Sequence, residues 1–211
     1  LMAMPEITIG FFPDVGAGRF LKKCPEEGLG LFLALTGARF SGADAVYLGL
    51  ADYYVNVEEL PALEKEWHES DFQDDVCPRY EVRMPVSKIE SSLEELKPFL
   101  EAESIEDFDE LARNYRGANE WIASALENYK KGSPLSAAII FRYFKREPLR
   151  NWEETFDFEL HMAKEFSRES DFAEGVRAQL IDKDKNPQWK FKRLQDIPSG
   201  YTQRFFDYSA T

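Results

Sequence analysis

The sequence predicts an α/β fold class, with a short mixed α/β opening followed by a longer helical part. Two observations lead to this prediction. The first 20 residues combine an apolar, β-branched segment with several closely spaced glycines, a pattern typical of a strand that leads into a tight turn. After about residue 60, apolar side chains recur at the spacing of one helix face. We therefore divide the chain into an opening region at 1–60 and a mainly helical region at 61–211.

Short elements are predicted in the opening region. Residues 1–9 are expected to be extended because they hold a proline and two isoleucines. A short helix is predicted from about 15 to 23, and a buried helix follows between glycines 28 and 37. A Ser-Gly pair opens a further helix at 41–49, and the Tyr-Tyr-Val sequence at 53–55 predicts a short strand.

Longer helices are predicted in the second region. Apolar residues repeat at helical spacing over 89–100 and 121–129. The Ser-Pro pair that opens 133–145 supplies a capping hydroxyl and a proline at the first helical position. Two further helices are predicted at 152–168 and 171–180. The aromatic and polar residues that follow are expected to wrap the surface.

Composition limits the classes of function. The formal net charge is −13, so the surface should repel nucleic acids and anionic membranes. No run of apolar residues is long enough for a transmembrane helix. Cys24 and Cys77 form no CxxC pair, which suggests a reduced, intracellular protein. Cys24 is expected to be a small filler, and His161 a surface or packing residue.

Two carboxylates, Glu6 and Asp14, stand among apolar residues on either side of the glycine-rich turn. Apolar surroundings disfavour ionisation, and such a group can exchange protons or attack an acyl carbon. The glycines would let a ligand approach the backbone, and the helix start near Val15 would offer free N–H groups. From the residues alone, two structural roles stay open: Asp14 as a helix cap and Glu6 as an exposed strand residue.

Several segments together resemble the crotonase, or enoyl-CoA hydratase/isomerase, superfamily. They are MPEITIGFFPDVGAG at 4–18, LALTG at 33–37, ADAVYLGLADYYV at 43–55 and DFAEGVRAQLIDKDKNPQW at 171–189. The Ser-Pro helix start at 133 is similar too. The aspartate in the turn, where hydratases usually carry Pro-Gly, resembles the 3-hydroxyisobutyryl-CoA hydrolase branch. The resemblance implies the later part of a ClpP/crotonase core with a helical C-terminal half.

The resemblance also implies a function. Glu6 would act on the thioester carbonyl of an acyl-CoA, as nucleophile or as general base, and Asp14 would orient the 3-hydroxyl group or water. Lys183 and Lys185 are candidates for contact with the phosphates of coenzyme A. No metal or redox cofactor would be required. Relatives commonly form homo-oligomers, and the expected location is the cytoplasm of a bacterium or the mitochondrial matrix of a eukaryote.

One departure from the family pattern matters. The family's oxyanion hole uses backbone N–H groups from loops that precede the Glu6 segment, and the glycine-rich loop that supplies one of them is not in this sequence. Each such donor contributes roughly 10²–10³ in rate, so we expect these residues alone to be inactive. Two alternatives remain: an enoyl-CoA hydratase or isomerase, and a non-catalytic binding subunit derived from the crotonase fold.

Overall fold

A computed structural model describes residues 1–72 and 75–208. Eleven α-helices occur in these residues, and short 3₁₀ turns lie between some of them. They are α1 (Ala17–Phe20), α2 (Leu29–Thr36), α3 (Gly42–Tyr47), α4 (Leu60–Glu69), α5 (Lys88–Ser91), α6 (Leu93–Leu100), α7 (Ile105–Asn114), α8 (Glu120–Lys131), α9 (Pro134–Arg146), α10 (Trp152–Phe166) and α11 (Ser170–Val176).

Contacts between residues group the chain into two units. The larger unit contains residues 3–39 and 94–211, and its core is built around α2. Every residue of α2 is buried, since this helix is apolar on all sides and packs against both α8 and α9. The ring of Phe32 lies against the rings of Phe99, Phe108 and Trp121, at centroid separations of 5.9, 6.2 and 5.9 Å.

The smaller unit contains residues 1–2 and 40–93. Its organising side chain is Asp44, which is buried in α3. Asp44 forms a capping box with Ser41 and also accepts hydrogen bonds from the Ser87 hydroxyl at 2.7 Å and the Ile89 N–H at 3.1 Å. Burial acts to raise the pKa of Asp44, but these hydrogen bonds outweigh it and the pKa lies below its usual value. Asp44 therefore ties α3 to the start of α5.

Most helix predictions are confirmed. Helix α2 ends at Gly37, which adopts the left-handed conformation with φ +56°. Helix α9 starts at Pro134, and the Ser133 hydroxyl caps it by accepting the Ser136 N–H at 3.1 Å. The predicted helix at 171–180 is α11 followed by a π-helical turn over Arg177–Ile181.

Two strand predictions are wrong. Residues 6–9 form a 3₁₀ helix instead of an extended segment. Residues 53–55 contribute only one antiparallel bridge, from Val55 to Glu81. In the described part of the chain the other bridge joins Met2 to Phe40. Neither segment therefore pairs with a strand that is long enough to form a β-ladder.

None of the helices in residues 1–72 and 75–208 has the length and apolar character that crossing a membrane requires. The boundary placed at residue 60 from the sequence stays a prediction.

Candidate functional site

The turn that carries Glu6 is a single 3₁₀ helix, Glu6–Ile9, closed by Gly10. Gly10 has φ +67°, and its N–H faces the carbonyl groups of Glu6 and Ile7. The Phe11 N–H also donates to the Glu6 carbonyl at 3.0 Å. A left-handed glycine lets the chain reverse within this short distance, which explains why the segment is not extended.

Three of the family-like segments meet at this turn. The Ser133 N–H, at the start of α9, donates to the Ile7 carbonyl at 3.2 Å. From α11, the backbone of Asp171 lies so close to Gly10 that an added Cβ would stand 2.5 Å from its carbonyl oxygen. Gly175 lies equally close to the backbone of Ile9, at 2.3 Å from an added Cβ. The Glu6 turn is therefore fixed from both α9 and α11.

The Glu6 side chain is half-buried, and one of its carboxylate oxygens, Oε2, is buried with no hydrogen-bond partner among the described residues. Burial raises the pKa of Glu6, the backbone N–H of the same residue lowers it, and the charge of Asp14 raises it further. An unpaired carboxylate oxygen of this kind is available to accept a proton or to attack a carbonyl carbon.

Asp14 follows the buried pair Phe12 and Pro13 and is itself half-buried. Burial raises the pKa of Asp14 and its own backbone N–H lowers it, with a net rise. The cap of α1 is Gly16, without any side-chain capping bond, so the alternative of Asp14 as a helix cap is wrong. Only the Asp14 carbonyl takes part, by accepting the Ala17 N–H at 3.0 Å.

Sequence reasoning missed a third carboxyl group, Glu159 of α10. Its two oxygens accept the N–H groups of Gly16 at 2.6 Å and Gly18 at 3.3 Å, together with the Tyr143 hydroxyl at 2.8 Å. The helix start was expected to offer free N–H groups, and the structure corrects this because a protein carboxylate takes these two. The available signal was a glutamate on the buried face of α10, between Thr155 and Met162.

The glycines of the turn also serve internal packing. An added Cβ at Gly16 would lie 2.7 Å from the Trp152 ring, and one at Gly18 would lie 2.1 Å from the Tyr143 hydroxyl oxygen. Side chains of α9 and α10 thus occupy the space that these glycines leave. The expectation that they leave room for a ligand is wrong at these two positions.

Lys183 and Lys185 lie on an exposed loop after the π-helical turn, both with left-handed backbone, at φ +58° and +55°. Arg177 holds this loop by pairing with Asp182 at 2.6 Å and Asp184 at 2.7 Å. In the described residues, neither lysine is joined to Glu6 or Asp14 by a hydrogen bond or an ion pair. Their contact with phosphates stays a prediction.

Within residues 1–72 and 75–208, no three His, Cys, Asp or Glu side chains are grouped so that they could hold a metal ion. The charge of Asp14 acts to raise the pKa of Glu6, so these two carboxyl groups interact.

Comparison with known sequences shows similarity to acyl-CoA enzymes. The sequence profile of the enoyl-CoA hydratase/isomerase family matches residues 1–206. The mitochondrial 3-hydroxyisobutyryl-CoA hydrolase of Xenopus tropicalis is 34% identical, over 98% of this chain and 55% of that protein. 3-Hydroxyisobutyryl-CoA hydrolase 1 of Arabidopsis thaliana is 32% identical, over 98% of this chain and 58% of that protein. The chain thus spans little more than half the length of these relatives.

Comparison with solved structures gives the same family. An enoyl-CoA hydratase from Rhodobacter sphaeroides 2.4.1 matches with a TM-score of 0.83 and 25% identity, over 96% of this chain and 58% of that one. A carnitinyl-CoA dehydratase from Mycobacterium thermoresistibile matches with a TM-score of 0.84 and 28% identity, over 99% and 59%. Because the family profile covers almost the whole chain and these folds superpose on it, the chain belongs to the enoyl-CoA hydratase/isomerase family and has a helix-rich, crotonase-like fold.

Proposed function

We propose that the protein is a thioesterase that hydrolyses 3-hydroxyisobutyryl-CoA, or a close 3-hydroxyacyl-CoA, in valine catabolism. The observation that carries this proposal is the carboxyl pair of Glu6 and Asp14. Both groups are half-buried, burial raises the pKa of both, and one Glu6 oxygen has no partner among the described residues. The names of the curated relatives support the same reaction.

In the proposed reaction, Glu6 acts at the thioester carbonyl by one of two routes. As a general base, it takes a proton from water while the water oxygen attacks the carbonyl carbon. As a nucleophile, it forms an acyl anhydride that water then hydrolyses. In both routes the C–S bond breaks and coenzyme A leaves as a thiolate, which then takes up a proton. A raised pKa suits a carboxyl group that must accept and return protons near neutral pH.

Asp14 is proposed to orient the 3-hydroxyl group of the substrate or the attacking water. A second carboxyl at this position separates the hydrolase proposal from the hydratase alternative. The N–H groups of Gly16 and Gly18 do not stabilise the oxyanion in this scheme, because Glu159 accepts both of them. The proposed reaction uses no metal or redox cofactor.

The remaining proposals concern partners and location. The partner is a small acyl-CoA, with neither nucleic acid nor membrane involved, and homo-oligomers are expected. The compartment would be the cytoplasm in a bacterium and the mitochondrial matrix in a eukaryote, where several relatives are named as mitochondrial. Light scattering of the purified protein measures the oligomeric state.

The test is release of free thiol from 3-hydroxyisobutyryl-CoA by the longest polypeptide that the gene encodes, beside the variants Glu6→Gln and Asp14→Asn. We expect release by the unchanged protein and a loss of about 10²-fold or more in each variant. Glu26→Gln, at an exposed glutamate, is the matched control and should keep full activity.

Other outcomes have definite meanings. Hydration of an enoyl-CoA without thiol release would favour the hydratase alternative, and no turnover of either ester would favour the binding subunit. A single turnover in ¹⁸O-labelled water distinguishes the two routes, because only the anhydride route can place the label in the Glu6 side chain.

A further inference from the structure

Glu159 is a buried carboxylate that accepts hydrogen bonds from the turn that follows Asp14, at Gly16 and Gly18. Only 3% of the residue is exposed, and 143 residues of sequence separate it from Gly16, which donates to it. No ion pair to Glu159 exists in the described part of the chain, whereas Glu165, also buried in α10, pairs with Arg168 and Arg204. A buried carboxylate without an ion pair is stabilised mainly by its hydrogen-bond donors. Here two of the three are backbone N–H groups of the turn.

The backbone of that turn needs to be held in place. Val15 has φ +52°, a left-handed conformation that β-branched residues rarely adopt, and Gly16 follows with φ +87°. The Val15 side chain is 70% exposed, so its own packing cannot enforce this geometry. The 2.6 Å hydrogen bond from Gly16 to Glu159 acts on the peptide that directly follows Val15. Asp14 belongs to the same turn, since its carbonyl accepts the Ala17 N–H at 3.0 Å.

We propose that Glu159 is a positioning residue for the reaction: its carboxylate fixes the turn at Gly16 and Gly18 and thereby places Asp14 relative to Glu6. This inference rests on the proposed function for its consequence in catalysis. Glu159 also occupies the anion site that a helix start would otherwise offer to a ligand. In this proposal Glu159 does not react itself, but it controls the position of Asp14, which does.

Electrostatics supports this placement. Burial raises the pKa of Glu159, its three hydrogen bonds lower it, and the charge of Asp14 raises it again, so the two carboxyl groups interact. Among the described residues, Tyr143 of α9 and Lys22 also interact with the charge of Glu159. Burial lowers the pKa of Lys22 to about 8, against the charge of Glu159, which acts to raise it. Because electrostatic interaction is mutual, removing the charge of Glu159 should lower the pKa of Asp14.

The first measurement is the kinetics of thiol release by Glu159→Gln. We expect kcat to fall about 10- to 100-fold, since a misplaced catalytic group costs up to ~10²-fold, while KM changes little. The acidic limb of the pH–rate profile should move to lower pH. Tyr143→Phe keeps the carboxylate and both backbone bonds, so its kcat should fall less. Glu165→Gln, on the same helix but paired with arginines instead of the turn, should keep the kcat and pH profile of the unchanged protein.

The second measurement does not depend on activity. Amide protons that donate to a carboxylate are shifted downfield and follow its ionisation, so the ¹⁵N-labelled chain should show Gly16 and Gly18 titrating together. In Glu159→Gln these two amides should move upfield more than those of the other glycines. If that variant does not fold, the titration of the unchanged protein still tests whether Gly16 and Gly18 donate to the Glu159 carboxylate. Gly16 and Gly18 amides that do not titrate together would overturn the inference.

The two measurements also separate this inference from the proposed function. Amides that respond as expected, in a protein that releases no thiol, would refute the thioesterase and leave the positioning of the turn established. Thiol release with an unchanged kcat and pH profile in Glu159→Gln would support the thioesterase and refute the positioning role.

Discussion

The Ser133 hydroxyl donates a hydrogen bond to Oδ2 of Asp171 at 2.6 Å, and both residues are buried. Ser133 also caps α9, and its N–H holds the Ile7 carbonyl in the Glu6 turn. The other oxygen of Asp171 accepts the Lys190 N–H at 2.8 Å. Two segments that resemble the family, far apart in sequence, are thus joined where they support the turn.

Ser133→Ala should therefore cost more stability than loss of an ordinary helix cap. It removes a cap, worth about 1 kcal/mol, and leaves a buried Asp171 oxygen without its donor, which costs roughly 1–3 kcal/mol more. Ser104→Ala is the matched control, because Ser104 caps α7 in an exposed capping box. Urea denaturation of both variants measures the difference, and equal losses would contradict the role of Asp171.

Gly10→Ala should destabilise the protein more than Gly49→Ala. Both glycines have left-handed backbone, at φ +67° and +70°, so both substitutions carry a similar conformational cost of about 1 kcal/mol. Only at Gly10 would the new Cβ meet a neighbour, the Asp171 carbonyl at 2.5 Å, whereas at Gly49 nothing lies within 4 Å. Overpacking of this kind adds roughly 1–3 kcal/mol. Thermal unfolding of the pair isolates the packing of α11 on the turn.

Glu6→Gln should stabilise the folded chain at neutral pH while it slows the proposed reaction by about 10²-fold or more. The folded pKa of Glu6 lies above its ordinary value of 4.5, so between these two values the folded state binds more protons than the unfolded state. Stability is therefore lost as the pH rises through this window, and the loss is absent below the ordinary pKa.

Melting temperatures measured from pH 4 to pH 8 test this sign. The variant should match the unchanged chain near pH 4 and exceed it at pH 8. Glu26→Gln, at an exposed site, corrects for the general effect of removing one negative charge from an acidic protein. A variant that is less stable than the unchanged chain at pH 8 would mean that Glu6 has a stabilising partner.

Cys24 should react slowly with thiol reagents. Burial raises the pKa of its thiol from 9.0 to about 11, so at pH 8 its thiolate fraction is about 100-fold smaller than that of an unperturbed thiol. Alkylation by iodoacetamide in a Cys77→Ser background isolates Cys24, and a short cysteine peptide provides the reference rate. A rate equal to that of the peptide would show that the thiol is not shielded.

The sequence predicted the helices well because capping residues and apolar periodicity are local signals. Helix α2 between two glycines and α9 after Ser133 needed no tertiary information. The turn at Glu6–Ile9 was missed because four residues carry no periodicity, and β-branched Ile7 and Ile9 favoured a strand. The strand preference of β-branched residues also led to the wrong prediction at Val55, because a strand forms only where a partner strand is available.

The site was predictable only in part. Glu6 and Asp14 were selected by their apolar neighbours and by resemblance to a family, and their roles in catalysis stay predictions. Glu159 could not be placed beside them, since no local pattern shows which of many glutamates packs against a turn 143 residues earlier in the sequence. The packing role of Gly16 and Gly18 could not be predicted either. Trp152 and Tyr143, which fill the space beside these glycines, lie on helices that are far away in the sequence.

The bond between Gly16 and Glu159 also bears on synthesis of the chain. After Gly16, a ribosome must add 143 more residues before the carboxylate of Glu159 exists to hold the turn, which takes roughly 7–30 s. During that interval no hydrogen bond to Glu159 holds the left-handed backbone at Val15, and the arrangement of Glu6 and Asp14 has not yet formed. A polypeptide released before α10 would carry Glu6 and Asp14 but no arranged site. The geometry of the turn is therefore acquired only after α10 has been made.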